Sequence, residues 1–366
     1  MNSVYIVSPY LLKISNDRDF AVFNFLDSKI RHIDDNGLNI LKYCKTPKTQ
    51  KAILQHFPLE ITKQYINEKL LLKNDTVWIQ NNIQHVEIET STVCNWKCEY
   101  CPNAHIPRKP QMMGLDLFRI VLQRAAEYGK VKVISINSYN EPTIDPLFYE
   151  RLELIKKYKM RLLLYTNGSN LDTDKILYIK KLNILDRVFV HLPSLNQETF
   201  QSLTKSNDYT KTLTAIKQCL LHGLPVSISM QKHSKNIRSD AELLKKQFPG
   251  AELKLFNAAD RSGTLQNLYS QNINIQHQYL SSCLLFSMTL NIGVGGDLFI
   301  CCNDYNHLYE IGNVRNHNFE SIMNCHSYTT LRKKIFGEIE AEPNFICRRC
   351  SQMSYLLKYK KIRECI

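Results

Sequence analysis

Three cysteines fall within eight residues, Cys94-Asn95-Trp96-Lys97-Cys98-Glu99-Tyr100-Cys101, with three and then two residues between them. A loop with that spacing can wrap three thiolates around three corners of a cubane iron–sulfur cluster. Such clusters usually take four cysteines. No fourth cysteine is near, so one iron is left open for a ligand that is not protein. The competing chemistry is a zinc knuckle, which would want a fourth Cys or His at short range. His105 is the residue placed to serve.

The elements around this loop read as alternating strands and helices. Apolar and β-branched runs at 86–90, 131–136, 161–165, 187–190, 226–229 and 253–256 predict six strands. Helical spacing at 115–128, 146–158, 174–182, 210–221 and 241–248 fills the intervals. Six such units imply a parallel sheet. Chemistry in this architecture sits in the loops that follow the strands, and the cysteine loop leaves the end of the first.

The cysteine loop resembles the signature motif of the radical S-adenosylmethionine (SAM) enzymes. The resemblance implies an α/β fold with a partial, six-unit TIM-like barrel, and an open iron that chelates the amino and carboxylate groups of SAM. It also implies reductive cleavage of SAM to a 5′-deoxyadenosyl radical. The strand ends extend the likeness. Asn140-Glu141-Pro142 follows the second strand, where the family has a Gly-Gly-Glu-Pro-like element; the glycines are missing here, and Glu141 is the residue carried over. Thr166-Asn167-Gly168 follows the third strand and is similar to a family element beside the cofactor. His191 and Ser194 end the fourth strand, and Arg261 follows the sixth. Cofactor contact is therefore expected at Tyr100, Asn140, Glu141, Thr166, Asn167, Gly168, His191, Ser194 and Arg261.

A second cysteine set lies downstream. Cys283 and Cys301 flank Gly296, whose turn between two strands would bring them together. Cys347-Arg348-Arg349-Cys350 adds a two-residue bite, and four thiolates suffice to close a cluster. Four thiolates also suit tetrahedral zinc. The arrangement resembles the SPASM and twitch extensions of radical SAM enzymes. No further cysteine series follows Cys350, so one auxiliary 4Fe-4S cluster is expected beside the first. Cys302 would alternate to the other strand face from Cys301; it is the candidate catalytic thiol. Cys325 and Cys365 are spare, and Cys44 and Cys219 sit in apolar helical patterns and read as core.

Residues 1–82 read as a separate domain. Strands at 4–7, 20–25 and 30–33, three helices and a closing strand at 76–79 suggest a winged helix-turn-helix. Asp34 or Asp35 would cap the first helix, Thr46-Pro47 would open the second, and the third would run from about Glu60 to Leu71. The layout normally suggests DNA binding, yet no helix shows a face of Arg, Asn and Gln. It resembles instead the leader-recognition domain of ribosomal peptide modification systems, which adds a precursor peptide as a strand to the hairpin edge. The expected division is thus 1–82 for peptide recognition, 83–265 for the barrel and 266–366 for the auxiliary-cluster region.

Composition agrees with a globular protein: 44% hydrophobic and 22% charged residues leave no apolar run of membrane-spanning length. Twelve cysteines without an export signal read as metal ligands in a reducing cytoplasm rather than as disulfides. The formal net charge of +13 suits an acidic partner. The expected function is a SAM-dependent maturase that installs a thioether, a carbon–carbon link or an inverted α-carbon in a precursor peptide. A flavodoxin, ferredoxin or reductase would supply electrons. The alternative is a twitch-type dehydrogenase acting on a sugar or aminocyclitol. Neither a membrane nor a nucleic acid is an expected partner.

Overall fold

The structure, a computed structural model, describes residues 3–14, 20–232, 237–257, 260–265, 277–309, 311–351 and 360–361. Cys365 lies outside them. The chain groups into two compact units, one of residues 1–82, 275–288 and 321–366, the other of residues 83–274 and 289–320. The region from 266 onward is thus shared between the two.

The first unit opens with β1 (Val4–Val7), β2 (Leu11–Lys13), β3 (Ala21–Asn24) and β4 (Lys29–His32), followed by α1 (Asp35–Tyr43), β5 (Lys48–Thr49), α2 (Gln50–His56), α3 (Leu59–Asn67) and β6 (Leu71–Lys73). Asp34 caps α1, its carboxylate accepting the Gly37 N–H at 2.7 Å. β1 lies between β5 and β6, antiparallel to both, and β3 lies between β2 and β4, with a two-residue strand at Lys360–Lys361 beyond β2. Val7, Val22, Ile40, Leu41, Ile53 and Leu70 close the core between sheets and helices.

Two expectations fail here for local reasons. The second helix starts at Gln50 instead of Thr46-Pro47, because residues 48–49 pair with β1 and Thr49 supplies the cap, accepting from Ala52 at 3.2 Å. The closing strand is β6, which starts at Leu71, where the expected third helix would end. That helix stops at Asn67, and Lys69 turns left-handed at φ 58°. The run expected as a strand at 76–79 is a 3-10 turn, Val77–Ile79. The Tyr10 hydroxyl donates to the Val77 carbonyl at 3.0 Å and Arg332 donates to the Trp78 carbonyl, so side chains occupy acceptors that a ladder would use.

The second unit carries β7 (His85–Ile88), α4 (Pro102–His105), α5 (Leu115–Tyr128), β8 (Val133–Ser135), α6 (Phe148–Lys157), β9 (Arg161–Thr166), α7 (Thr173–Leu182), β10 (Leu185–His191), α8 (Gln197–Thr204), α9 (Tyr209–Leu221), β11 (Val226–Lys232), α10 (Ile237–Gln247) and β12 (Glu252–Asn257). β7 to β12 are parallel and lie side by side in chain order, the partial barrel expected. Its period of two sorts the faces. Val86, Ile134, Leu162, Leu164, Val188, Val190 and Ile228 are almost wholly buried on the helix side. Each such burial contributes roughly 1.5–3 kcal/mol. The alternate residues, among them Tyr165, Phe189, His191 and Ser229, stay partly accessible and face inward. β13 (Thr289–Ile292) continues the sheet beside β7, and β14 (Asp297–Phe299) and β15 (Gly312–Asn313) follow it antiparallel. The β13–β14 hairpin turns on Gly296 at φ 89°, as its sequence suggests.

Candidate active site

The cysteine loop leaves β7 and is pinned by a helix that the sequence did not reveal. The Lys97 and Glu99 N–H groups donate to the carbonyls of Thr204 and Leu203, at the end of α8. Trp96 lies edge-on to Phe200 of α8, and its indole N–H donates to Asp208 at 3.0 Å. Cys94, Cys98 and Cys101 line one cleft of about 270 Å³, together with Tyr139, Arg261 and Cys302. Burial raises all three thiol pKa values, that of Cys98 to about 12. Buried thiols of this kind keep their protons until a cation takes their place. A cubane cluster with one open iron would take these three sulfurs from one cleft wall, although among the described residues no three ligand side chains are already gathered around a metal position. His105 does not complete a zinc set, since its Nε2 lies 2.6 Å from the Glu99 carbonyl.

Glu141 ties the strand-end elements together. Its Oε1 accepts from Thr143 N (3.0 Å), Thr143 Oγ1 (2.6 Å) and Thr166 Oγ1 (2.6 Å), and its Oε2 accepts the Asn167 N–H at 2.7 Å. Asn167 in turn donates to Asn95 Oδ1 at 2.8 Å, linking the turn after β9 to the cysteine loop. Gly168 makes that turn at φ 76°; a Cβ there would sit 3.0 Å from Val190. Asn140 braces the loop from below, donating to Thr90 Oγ1 and the Ile136 carbonyl.

Of the expected cofactor contacts, Tyr100, Asn140, Glu141, Thr166, Asn167, His191 and Arg261 line the cleft. Ser194 is not in its lining: its hydroxyl accepts the Asn196 N–H at 3.0 Å and shapes the turn before α8. Gly168 acts through the backbone alone. Arg261 follows β12 in a left-handed conformation, φ 52°, with its guanidinium 5.8 Å from the Tyr139 ring. It lies within electrostatic reach of Cys101, Cys302 and Glu87. Burial and the neighbouring Glu89 push the Glu87 carboxyl up to about 7, with Arg261 opposing.

Cys302 is not on a strand. β14 ends at Phe299, and Cys301-Cys302 lies in the turn that follows, where Asp304 N donates to the Cys301 carbonyl at 2.8 Å. The alternation argument therefore does not apply. The turn itself carries Cys302 into the cleft lining. Tyr139 donates to the Cys302 carbonyl, and its ring meets Tyr305 edge-on at 4.8 Å. Tyr139, Tyr165, Phe189 and Gln231 also line the cleft and were missed. The strand residues among them stand at alternate positions, a signal that would have exposed them.

In the other unit, Cys283 precedes the helix Leu284–Met288, Cys347 lies within the 3-10 turn Ile346–Arg349, and Cys350 caps that turn. Arg348 braces that turn, donating to the carbonyls of His277, Gln278, Ala341 and Glu342 at 2.6–3.0 Å. Cys325 caps the helix His326–Ile335, while Cys44 and Cys219 are fully buried, as expected of core residues.

Residues 88–235 match the radical SAM superfamily model, and residues 283–351 match SPASM, an iron–sulfur cluster-binding domain. The chain thus carries a radical SAM region followed by a SPASM region. Its relatives differ in what they act on. A cofactor-modifying protein for a tungsten-containing aldehyde ferredoxin oxidoreductase, from Pyrococcus furiosus, is 28% identical over 102 residues. That match covers 28% of this enzyme and 29% of the relative, less than a third of the relative's length. A SAM-dependent 2-deoxy-scyllo-inosamine dehydrogenase from Niallia circulans is 22% identical over 273 residues, 74% of this enzyme and 93% of that one. Streptococcus suis SuiB, solved with its precursor peptide SuiA, shares the fold at TM-score 0.60 and 13% identity over 98% of both chains.

Proposed function

We propose that this enzyme modifies a ribosomally made precursor peptide, recognised through the first unit. The observation that carries the reading is an open sheet edge. Among the described residues β4 pairs with β3 alone, and Ile30 on it is 59% exposed. Ile33 N donates to the Phe20 carbonyl, so Arg31 turns its backbone to β3 while Ile30 turns its own outward. An extended peptide can join there as a further strand. β3 offers no such edge, because it lies between β2 and β4. The whole-chain likeness to a protein that binds its precursor peptide supports the reading, whereas the inosamine dehydrogenase likeness leaves a quarter of this chain uncovered.

Cys94, Cys98 and Cys101 would hold a cubane cluster that, with SAM bound, supplies a 5′-deoxyadenosyl radical. Arg261, at the mouth of β12, offers a cation for the SAM carboxylate. Glu141 and Asn167 fix the turn that would help to hold the cofactor. Tyr165 and Phe189, stacked at 4.4 Å, give the cleft an aromatic wall against which a peptide side chain can be held. Cys283, Cys347 and Cys350, all in the first unit, would supply ligands to an auxiliary 4Fe-4S cluster. Cys302 is the hydrogen-atom donor if the product is an inverted α-carbon: its S–H bond breaks as the new C–H bond forms, and the sulfur radical then takes one electron and one proton from the reducing partner. A thioether or carbon–carbon product would not need it. A flavodoxin, ferredoxin or reductase in the reducing cytoplasm is the electron source. No described helix is long and apolar enough to cross a membrane.

The Niallia match favours one alternative, oxidation of an aminocyclitol or related sugar. Co-expression with a precursor peptide bearing an acidic leader, followed by mass spectrometry, separates the two. A mass change confined to the peptide's core, or deuterium gained there in D2O when only an α-carbon is inverted, supports the maturase. An untouched peptide together with turnover of an aminocyclitol overturns it.

A further inference from the structure

Cys283 and the pair Cys347 and Cys350 lie far apart in sequence, and residues 289–320 between them belong to the other unit. Bringing the ends of so long a stretch together costs entropy. A metal gathering these thiols from a loose chain would have to meet that cost. Hydrogen bonds between the two segments meet it instead. His277, six residues before Cys283, donates its backbone N–H to the Arg348 carbonyl at 2.7 Å. Its ring Nε2 lies 2.8 Å from the Cys350 carbonyl, which can only accept, so Nε2 carries the proton. Arg348 answers with its guanidinium, Nη1 donating to the carbonyls of His277 at 3.0 Å and Gln278 at 2.6 Å. The same group reaches back along its own arm of the chain, Nη2 to the Ala341 carbonyl at 2.6 Å and Nε to the Glu342 carbonyl at 3.0 Å. A rigid planar fork can join two segments in this way, and the single ammonium of a lysine cannot.

The other side of Cys283 is held as well. Its sulfur accepts the Phe286 N–H at 3.5 Å, and the Phe286 ring stacks on buried Tyr328, centroids 5.1 Å apart. Cys283 therefore stands between two anchors, Arg348 before it and Tyr328 after it.

We propose that Arg348 and His277 are positioning residues that clasp the Cys283 segment to the Cys347–Cys350 turn before any metal is bound, leaving the thiol side chains to close on it. The proposal rests on reading these cysteines as ligands of the auxiliary cluster. Small metal domains commonly fold only as the metal binds; here hydrogen bonds hold the backbone of the site beforehand.

The test is hydrogen–deuterium exchange of the iron-free, full-length protein, followed by iron content after anaerobic reconstitution. In the unaltered protein, residues 277–286 and 341–350 should both be protected. Arg348→Met keeps the apolar stem and removes the fork. It should speed exchange in both segments at least about tenfold, leave α5 unchanged, and lower iron from about eight to about four per chain. Arg348→Lys keeps the charge and should behave like Arg348→Met. His277→Gln, which keeps an N–H donor, should stay near the unaltered protein. Should Arg348→Met unfold as a whole, seen as fast exchange in α5 too, His277→Ala carries the test and should speed exchange in both segments. Fast exchange of either segment in the unaltered iron-free protein, acceleration confined to 341–350, full recovery in Arg348→Lys, or no change in His277→Ala would each overturn the proposal. Unaltered protein that is protected in both segments yet takes up only about four irons is a different result. It refutes the reading of an auxiliary cluster and leaves the clasp standing.

Discussion

The Glu141 carboxylate accepts the backbone N–H of Asn167 at 2.7 Å, and through that bond the loop after β8 fixes the turn after β9. Three further donors meet the same carboxylate. Glu141→Ala leaves buried donors without partners, each costing about 1–3 kcal/mol. The variant should lose roughly 3 kcal/mol or more in a denaturant titration, and its affinity for SAM should fall with it. Glu141→Gln presents an amide N–H where an acceptor is needed and should recover only part of the loss.

Tyr139 ties the Cys302 turn to the cleft through one hydroxyl. Tyr139→Phe keeps the ring against Tyr305 and removes only that bond. We expect about 1 kcal/mol of lost stability and a higher ratio of 5′-deoxyadenosine to modified product, measured by chromatography of a single reaction. An unchanged ratio would show that the position of Cys302 does not govern coupling.

His85 is held in the barrel between Ser135 Oγ at 2.8 Å and Thr289 Oγ1 at 3.4 Å, and burial lowers its pKa to about 4. In the unfolded chain its value returns to about 6.5, so between these values the unfolded state binds more protons. Stability should therefore fall as pH drops from about 6.5 to about 4, by roughly 3 kcal/mol from this group. His85→Gln should flatten that part of the stability–pH curve. An unaltered slope in the variant would place the titration elsewhere.

The open edge of β4 makes a prediction about recognition. Ile30→Pro removes an outward N–H without touching the ladder to β3. It should weaken precursor binding at least tenfold in a fluorescence titration while SAM cleavage without peptide continues. Arg31→Pro should instead damage the hairpin, because Arg31 bonds inward to β3 and its side chain pairs with Asp27 and Glu68. Equal peptide affinity in Ile30→Pro would move recognition away from this edge.

The six parallel strands were readable because each is a short apolar run between helices of clear period, and α5 was expected at the very residues where it forms. The cysteine loop was readable because metal-ligand spacing is local. What escaped was set by distant contacts. Nothing near Thr76-Val77-Trp78-Ile79 says that Tyr10 and Arg332 will take its carbonyls. Helix α8 is only eight residues long, and its role as an anchor for the cysteine loop lies in backbone bonds that side-chain types do not encode. Ser194 stands near a strand end like its neighbours, yet a turn claims its hydroxyl. Arg348 stood in view between two cysteines, but its four carbonyl partners come from segments far along the chain or folded back onto it.

The central claim is that Cys94, Cys98 and Cys101 hold the cluster that cleaves SAM. The direct measurement is iron content and 5′-deoxyadenosine formation in the anaerobically reconstituted protein and in the variant with all three cysteines changed to alanine. The account predicts about eight irons in the unaltered chain, as two cubane clusters, about four in the variant, and no 5′-deoxyadenosine from the variant. Continued cleavage of SAM by the triple variant would contradict it.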